Sequence, residues 1–310
     1  MLKAAFLRSL CLCGLIMLSP APGFAAEPVP INTAGWSDSP FISRDGQRLY
    51  FSYSRWNLFS LYLDQKAKLT GPDRPGLAHV EKAEDYFHES TLYVAERKPD
   101  GHWKEPVALS FNVPGGNMGG MEVGNSFYFS HTDPSKTTSD LYVATKAADG
   151  TWSKAVPLSQ NINTDSREEN PFVSPSQDAL WFSSDRPGGS GGKDLYFSQK
   201  VGGEWTRAVN LGAVINTPSD EDNIWVNPNG NGDIYFDHGA GIMHTQWKDG
   251  KFTRPEPITI SGEDVISHIS FTDNGKEVFF TSADFVKHRL VIKHMTKQAD
   301  GSWSEATPVD

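Results

Sequence analysis

The chain repeats itself about every fifty residues, and that limits what it can fold into. An aromatic follows a tight turn at Asp100-Gly101-His102-Trp103, Asp149-Gly150-Thr151-Trp152, Gly202-Gly203-Glu204-Trp205, Asp249-Gly250-Lys251-Phe252 and Asp300-Gly301-Ser302-Trp303; the aromatics are spaced by 49, 53, 47 and 51 residues. Asp-Gly marks a hairpin because glycine accepts positive φ. Upstream, Leu49-Tyr50-Phe51-Ser52 returns as Phe127-Tyr128-Phe129-Ser130, Leu180-Trp181-Phe182-Ser183, Ile234-Tyr235-Phe236 and Val278-Phe279-Phe280-Thr281. Between these two elements lie Leu92-Tyr93-Val94, Leu141-Tyr142-Val143 and Leu195-Tyr196-Phe197, with weaker copies near Ile242-Met243 and Leu290-Val291-Ile292.

Each unit reads as four short strands, the size of one propeller blade. One such sheet is apolar on both faces, and radial stacking covers both. Five copies of two independent elements predict an all-β chain, a β-propeller of five blades of four antiparallel strands. The outer strands are expected at stretches such as Trp103 to Leu109, Trp152 to Leu158 and Trp303 to Val309. The first unit is longer: Tyr50 to Tyr128 spans 78 residues where the others span 44 to 54. The excess falls at about 54–89 and includes Trp56, Leu58, Phe59, Leu61, Tyr62, Tyr86 and Phe87. It reads as a lid, a docking surface or an extra hairpin. A decayed sixth blade is the alternative. Pro28-Val29-Pro30-Ile31-Asn32 resembles the end of an outer strand, which predicts that it packs beside the last blade and helps close the ring.

Residues 1–26 read as a secretory signal. Lys3 and Arg8 precede an apolar run, Leu10 to Leu18, too short for a comfortable membrane span, and Gly23, Ala25 and Ala26 supply small residues for cleavage. Cys11 and Cys13 both fall in this stretch, so residues 27–310, read as one domain, have no disulfide, zinc-thiolate site or cysteine nucleophile. The full chain carries 28 basic and 38 acidic residues; losing Lys3 and Arg8 takes the balance from −10 to −12. That argues against a nucleic-acid partner. No later segment is apolar enough to span a bilayer. The expected location is the periplasm, with the extracellular space as the alternative.

The repeats resemble the TolB-type, WD-repeat-like β-propeller family. Its pattern is Ser-Pro, a strand, a turn, Leu-Tyr-Phe-Ser-Ser, then Arg-Pro-Gly-Gly-x-Gly-Gly-x-Asp-Leu-Tyr. The third unit matches through Asn170-Pro171-Phe172-Val173-Ser174-Pro175, Leu180 to Ser184 and Asp185 to Tyr196; the first matches through Ser39-Pro40-Phe41-Ile42-Ser43 and Asp45-Gly46 to Ser52. The resemblance covers about residues 34 to 310. It implies an envelope propeller, but neither the Tol system nor peptidoglycan binding, whose extra domains do not fit in this length.

Loops between blades in this architecture open on the face around the central channel. Here they are acidic: Ser37-Asp38-Ser39, Met121-Glu122, Arg167-Glu168-Glu169-Asn170, Asp220-Glu221-Asp222-Asn223 and Asp264 to His268. Alignment on the aromatic element makes Asp38, Glu169 and Asp222 equivalent, with Ser267 in the fifth unit and Glu122 nearby in a shortened second unit. The candidate ligand-binding residues are therefore Asp38, Glu122, Glu168, Glu169, Asn170, Asp222, Asn223 and His268. Converging carboxylates suit a calcium ion, a cationic or polyhydroxylated ligand, or glycoside hydrolysis. No other cofactor is implied. No Gly-x-Ser-x-Gly or His-Glu-x-x-His occurs, and Asn227 to Asp233 imitates a calcium loop with too few carboxylates. The expectation is a non-catalytic propeller that binds a protein or carbohydrate at an acidic mouth, with a carbohydrate-active enzyme as the rival.

Overall fold

The computed structural model describes residues 29–57, 59–60 and 66–310. The candidate signal (1–26), Pro28 and the insertion residues Leu58, Leu61 and Tyr62 lie outside them. Five antiparallel sheets follow one another along the chain. Blade 1 is Trp36–Ile42, Arg48–Ser54, Thr91–Glu96 and Val107–Ala108. Blade 2 is Gly116–Val123, Ser126–Thr132, Asp140–Thr145 and Val156–Pro157. Blade 3 is Glu168–Val173, Ala179–Ser184, Asp194–Val201 and Val209–Asn210. Blade 4 is Glu221–Val226, Asp233–His238, Gly241–Lys248 and Glu256–Pro257. Blade 5 is Ile266–Phe271, Glu277–Asp284, Arg289–Thr296 and Thr307–Pro308. This is the five-bladed propeller expected from the repeat. No helix among the described residues is long and apolar enough to cross a membrane.

The repeat elements account for the burial. Phe51, Phe127, Phe129, Phe182, Phe236, Phe279 and Phe280, all on second strands, are fully buried between sheets. Each fourth strand is shorter than predicted. Trp103, Trp152 and Trp303 make only isolated bridges to Arg97, Lys146 and Lys297, and pairing resumes four residues later, at Val107, Val156 and Thr307. The turn explains the interruption: Asp100, Asp149 and Asp300 each accept a hydrogen bond from the backbone N–H two residues on, at 2.9–3.0 Å, which tightens the loop around Gly101, Gly150 and Gly301 at φ 85–91°. The basic residue then stacks on the indole, as Arg97 does on Trp103 at 4.7 Å.

A single asparagine pins each of four connections between blades. Asn112, Asn163 and Asn216 each accept the N–H, and donate to the C=O, of one third-strand residue in the preceding blade: Leu92, Leu141 and Leu195. Asn32 does the same to Ile292 of blade 5, at 2.7 and 2.9 Å, and also donates to the Val309 carbonyl at 2.7 Å. The N-terminal segment therefore packs on the last blade, as expected. It resumes the connection that Val309 leaves off, rather than adding to the outer strand.

The insertion holds a two-stranded hairpin, Trp56–Asn57 with Lys68–Leu69, and a 3-10 turn, Ala83–Glu89. It also conceals a repeat. Asp73-Arg74-Pro75-Gly76 copies Asp185-Arg186-Pro187-Gly188. Arg186 stacks on Tyr196 at 4.6 Å and donates to the Ile162 carbonyl at 2.7 Å. Arg74 stacks on Tyr53 at 4.4 Å and donates to the carbonyls of Val29, Pro30 and Ile31.

Candidate functional site

All five first strands carry a bulge at the same place. The bulged residues are Ser39, Gly119, Asn170, Asn223 and His268, with φ between 45° and 55°. Positive φ costs a side chain-bearing residue energy, so four non-glycine residues held there mark a constrained rim. With the residues that follow them, the five line an axial cavity of about 40 Å³. Phe41, Met121, Phe172, Trp225 and Phe271 line a second cavity of about 20 Å³; Trp225 and Phe271 pack with ring centroids 4.6 Å apart.

The residues before each bulge are Asp38, Met118, Glu169, Asp222 and Ser267. The three aligned carboxylates thus do occupy equivalent rim positions. Behind them, second-strand side chains reach across to the next blade. Gly119 N–H donates to Ser52 Oγ at 3.1 Å, and Asn170 N–H to Ser130 Oγ at 2.9 Å. The Thr281 hydroxyl donates to Asp38 at 2.7 Å, and the Ser183 hydroxyl to Asp222 at 2.5 Å. In blade 4 this position is a carboxylate, Asp237, which accepts the His268 N–H at 3.1 Å.

Two cations sit among the acids. Lys193, at the end of the glycine-rich loop of blade 3, donates to Glu169 and, at 2.8 Å, to Asp222. Asp222 also accepts Asn170 Nδ2 at 2.8 Å. Burial would lower the Lys193 pKa, but Asp222 and Glu169 outweigh it and hold the ammonium well above the usual lysine range. Burial likewise works against Asp222 ionisation; Lys193 and the hydrogen bonds from Ser183 and Asn170 reverse it and depress the carboxyl strongly. Across the channel, His268 Nδ1 lies 3.4 Å from Asp38 and 3.8 Å from Asp237. Burial disfavours its charged form, yet Asp38, Asp237 and Asp222 raise its pKa overall. Asp237 is pushed up to about 7, by burial first, then by the Asp222 charge, against the pull of His268.

The structure thus joins Asp38, Glu169, Asn170, Asp222, Asn223 and His268 in one polar arc over blades 1, 3, 4 and 5. Two expected members differ. Glu122 lies at the opposite end of its strand, paired with Phe127, where it accepts hydrogen bonds from Arg48 at 2.9 Å and Tyr50 at 2.8 Å. The first strand of blade 2 starts earlier than the alignment assumed, so Met118 takes the rim position. Glu168 is on the rim side but fully buried, accepting Thr164 N–H and hydroxyl, Ser184 and Arg186; it fastens the connection into blade 3, as Glu221 does with Thr217 in blade 4. Sequence reasoning missed Asp237 and Lys193. A carboxylate at a position otherwise held by Ser52, Ser130, Ser183 and Thr281 was the available signal for the first.

No group of three or more acidic, His or Cys side chains among the described residues is arranged to hold a metal.

No family model and no curated protein matches the chain. Solved structures do. CoXyl43, a GH43 β-xylosidase/α-arabinofuranosidase from a compost microbial metagenome, superposes on 90% of this chain and 96% of its own, with TM-score 0.51 and 12% identity. The GH43B protein of a Bacteroides ovatus xyloglucan PUL gives 0.50 and 16% over 91% of this chain and 56% of its own. TolB from Acinetobacter baumannii gives 0.47 and 11% over 86% and 54%. At such identities the likeness to the two GH43 structures shows a shared propeller fold and nothing of function.

Proposed function

We propose that this chain is an exported, non-catalytic binding propeller that uses the polar arc and the flanking insertion to hold a partner protein or a polyhydroxylated ligand. The observation that carries this reading is the engagement of the rim acids. Glu169 and Asp222 share Lys193, and Asp38 is held by Thr281 and His268. A glycosidase needs one carboxyl free to donate a proton and another free to attack or activate water. The axial cavity of about 40 Å³ is also small beside pockets of roughly 300 Å³ or more that enclose a small-molecule ligand. Contact with a larger partner would therefore lie across the face, not inside the channel. The stretch from Lys3 to Ala26 supports periplasmic delivery; N-terminal sequencing of protein from a periplasmic extract is expected to begin at Ala26 or Glu27.

One feature favours the rival. Burial pushes the Asp237 carboxyl up to about 7, the direction a general acid needs. Reducing-sugar release from xylan- and arabinan-derived oligosaccharides separates the two. No turnover is expected; turnover that disappears in Asp237→Asn or Glu169→Gln would make the chain an enzyme. For binding, the comparison is between wild type and a charge-balanced variant, Glu169→Gln/Asp222→Asn/Lys193→Met, immobilised against envelope extract and a glycan array. A specific ligand of the wild type should be lost by the variant while it still folds and melts cooperatively near the wild-type temperature; its retention would move the site elsewhere.

A further inference from the structure

The turns between third and fourth strands lie on the face opposite the mouth, and blade 4 breaks their pattern. In the other blades the residue set against the turn aromatic is a cation: Arg97 on Trp103, Lys146 on Trp152, Lys200 on Trp205 and Lys297 on Trp303, each 4.7–5.8 Å from the ring centre. In blade 4 it is Trp247, paired with Phe252 at 4.6 Å between ring centroids. Trp247 stays 50% exposed, and Val201, at the neighbouring turn of blade 3, is 61% exposed. The same two turns carry five cations, Lys200, Arg207, Lys248, Lys251 and Arg254, against two acids, Glu204 and Asp249. None of the five makes an ion pair with a described residue. On the blade 1 and blade 5 side of this face, by contrast, Arg44, Arg97 and Lys104 are held by Asp273, Glu277 and Glu96.

We propose that the turns of blades 3 and 4 dock the protein on a bilayer of anionic lipid, with Trp247 and Val201 at head-group level. Cations without acidic partners keep their charge for lipid phosphates. An indole, apolar with one polar edge, suits the boundary between head groups and acyl chains. A soluble polyanion would be served by cations alone; the exposed Trp247, standing where four blades carry Arg or Lys, selects the bilayer. The acidity of the whole chain does not oppose this. The strand Gly241–Lys248 runs from the mouth to this face, and its 8 residues put the two ends roughly 25 Å apart. Screening at physiological salt acts over about 8 Å, so the lipid meets the near face and not the acidic rim. The surface is separate from the mouth and stands whether or not the mouth binds anything. Docked in this way, the protein would turn its mouth away from the membrane.

Co-sedimentation of the protein purified from a periplasmic extract tests this, with vesicles of phosphatidylcholine containing phosphatidylglycerol set against phosphatidylcholine alone. Binding to the anionic vesicles only is expected, weakening as salt is raised. Lys248→Gln/Lys251→Gln/Arg254→Gln alters exposed turn residues and should melt near the wild-type temperature while binding about a hundredfold more weakly, about fivefold per charge. Lys66→Gln/Lys287→Gln, on the mouth side, should bind as the wild type does. Trp247→Lys restores the residue type of the other blades and adds a charge, yet should weaken binding several-fold because the interfacial indole is gone. Tighter binding by Trp247→Lys would reduce the patch to a polyanion site and overturn the bilayer. No binding to anionic vesicles, equal binding to phosphatidylcholine alone, undiminished binding by the triple variant, or loss in Lys66→Gln/Lys287→Gln would each overturn it as well. None of these outcomes touches the mouth, whose own test is the charge-balanced rim variant.

Discussion

The two halves of the polar arc answer pH in opposite ways. On the Lys193 side the carboxyl is strongly depressed by an ammonium that stays charged at any ordinary pH. On the His268 side a carboxyl is raised to about 7 beside an imidazole raised above its usual value. The contrast comes from how many acids each cation must serve and from the cation's own chemistry. Lys193 reaches out on a long stem and donates directly to both its acids. His268 is a short, partly buried ring whose Nδ1 stands 3.4 and 3.8 Å from its two, too far for a strong bond to the second. Asp237 is left under-compensated, and a desolvated carboxyl in that position keeps its proton.

The largest effect should come from removing the better cation. Lys193→Met leaves Glu169 and Asp222 facing each other with side chains only about a quarter exposed, and should cost about 3 kcal/mol in urea unfolding, toward the lower end for a broken buried pair. The charge-balanced triple variant should recover most of it. If Lys193→Met costs less than about 1 kcal/mol, the bridge behaves as a surface pair and the contrast between the halves collapses.

Next comes the seam. Asn32→Ala removes three buried hydrogen bonds to Ile292 and Val309 and should destabilise by about 2–3 kcal/mol. It should disturb the His268 half selectively, because Asp38 and His268 belong to the two blades joined there. NMR shifts of His268 should move while those of Lys193 stay in place; the reverse pattern would detach the seam from the arc.

A smaller effect concerns pH. Asp237 holds its proton to a higher pH when folded (about 7) than when unfolded (about 3.9), so this group's share of stability is fully present below about pH 4 and lost as pH rises toward 7. His268, raised as well, loses its share above its unfolded value of about 6.5. Asp222 works the other way: its share is present at neutral pH and disappears in acid, below its unfolded value. Asp237→Asn should flatten the slope between pH 4 and 7 and leave the acid limb intact, as read from urea midpoints across pH. An unchanged slope would assign it to other groups.

Much of this was legible in the residues. Five copies of an aromatic-rich strand and a following turn gave the blade count, and one alignment brought Asp38, Glu169 and Asp222 to the same rim. Asp237 escaped because a second strand reads as hydrophobic packing, and its single off-pattern carboxylate matters only once the next blade's bulge is seen against it. Lys193 looked like a spacer in a glycine-rich turn; its role depends on that turn lying tight against blade 4, where a side chain at Gly191 would meet the Thr217 and Ser219 carbonyls. Glu122 was misplaced by four positions, since Met118 holds the rim in blade 2, and four residues of strand cover about 13 Å. Arg74 was hidden by its distance from the rest of its unit, although Asp73 to Gly76 repeat Asp185 to Gly188 letter for letter.

The link between Val309 and Ile31 has a practical use. It is the one turn of the circle made without a peptide bond, and the same asparagine that spans it recurs at residues 112, 163 and 216. A short tether joining these neighbouring ends, with a cut placed at any of those three corners, should give a rearranged chain that folds to the same shape, because each corner already carries the fastening the natural opening relies on.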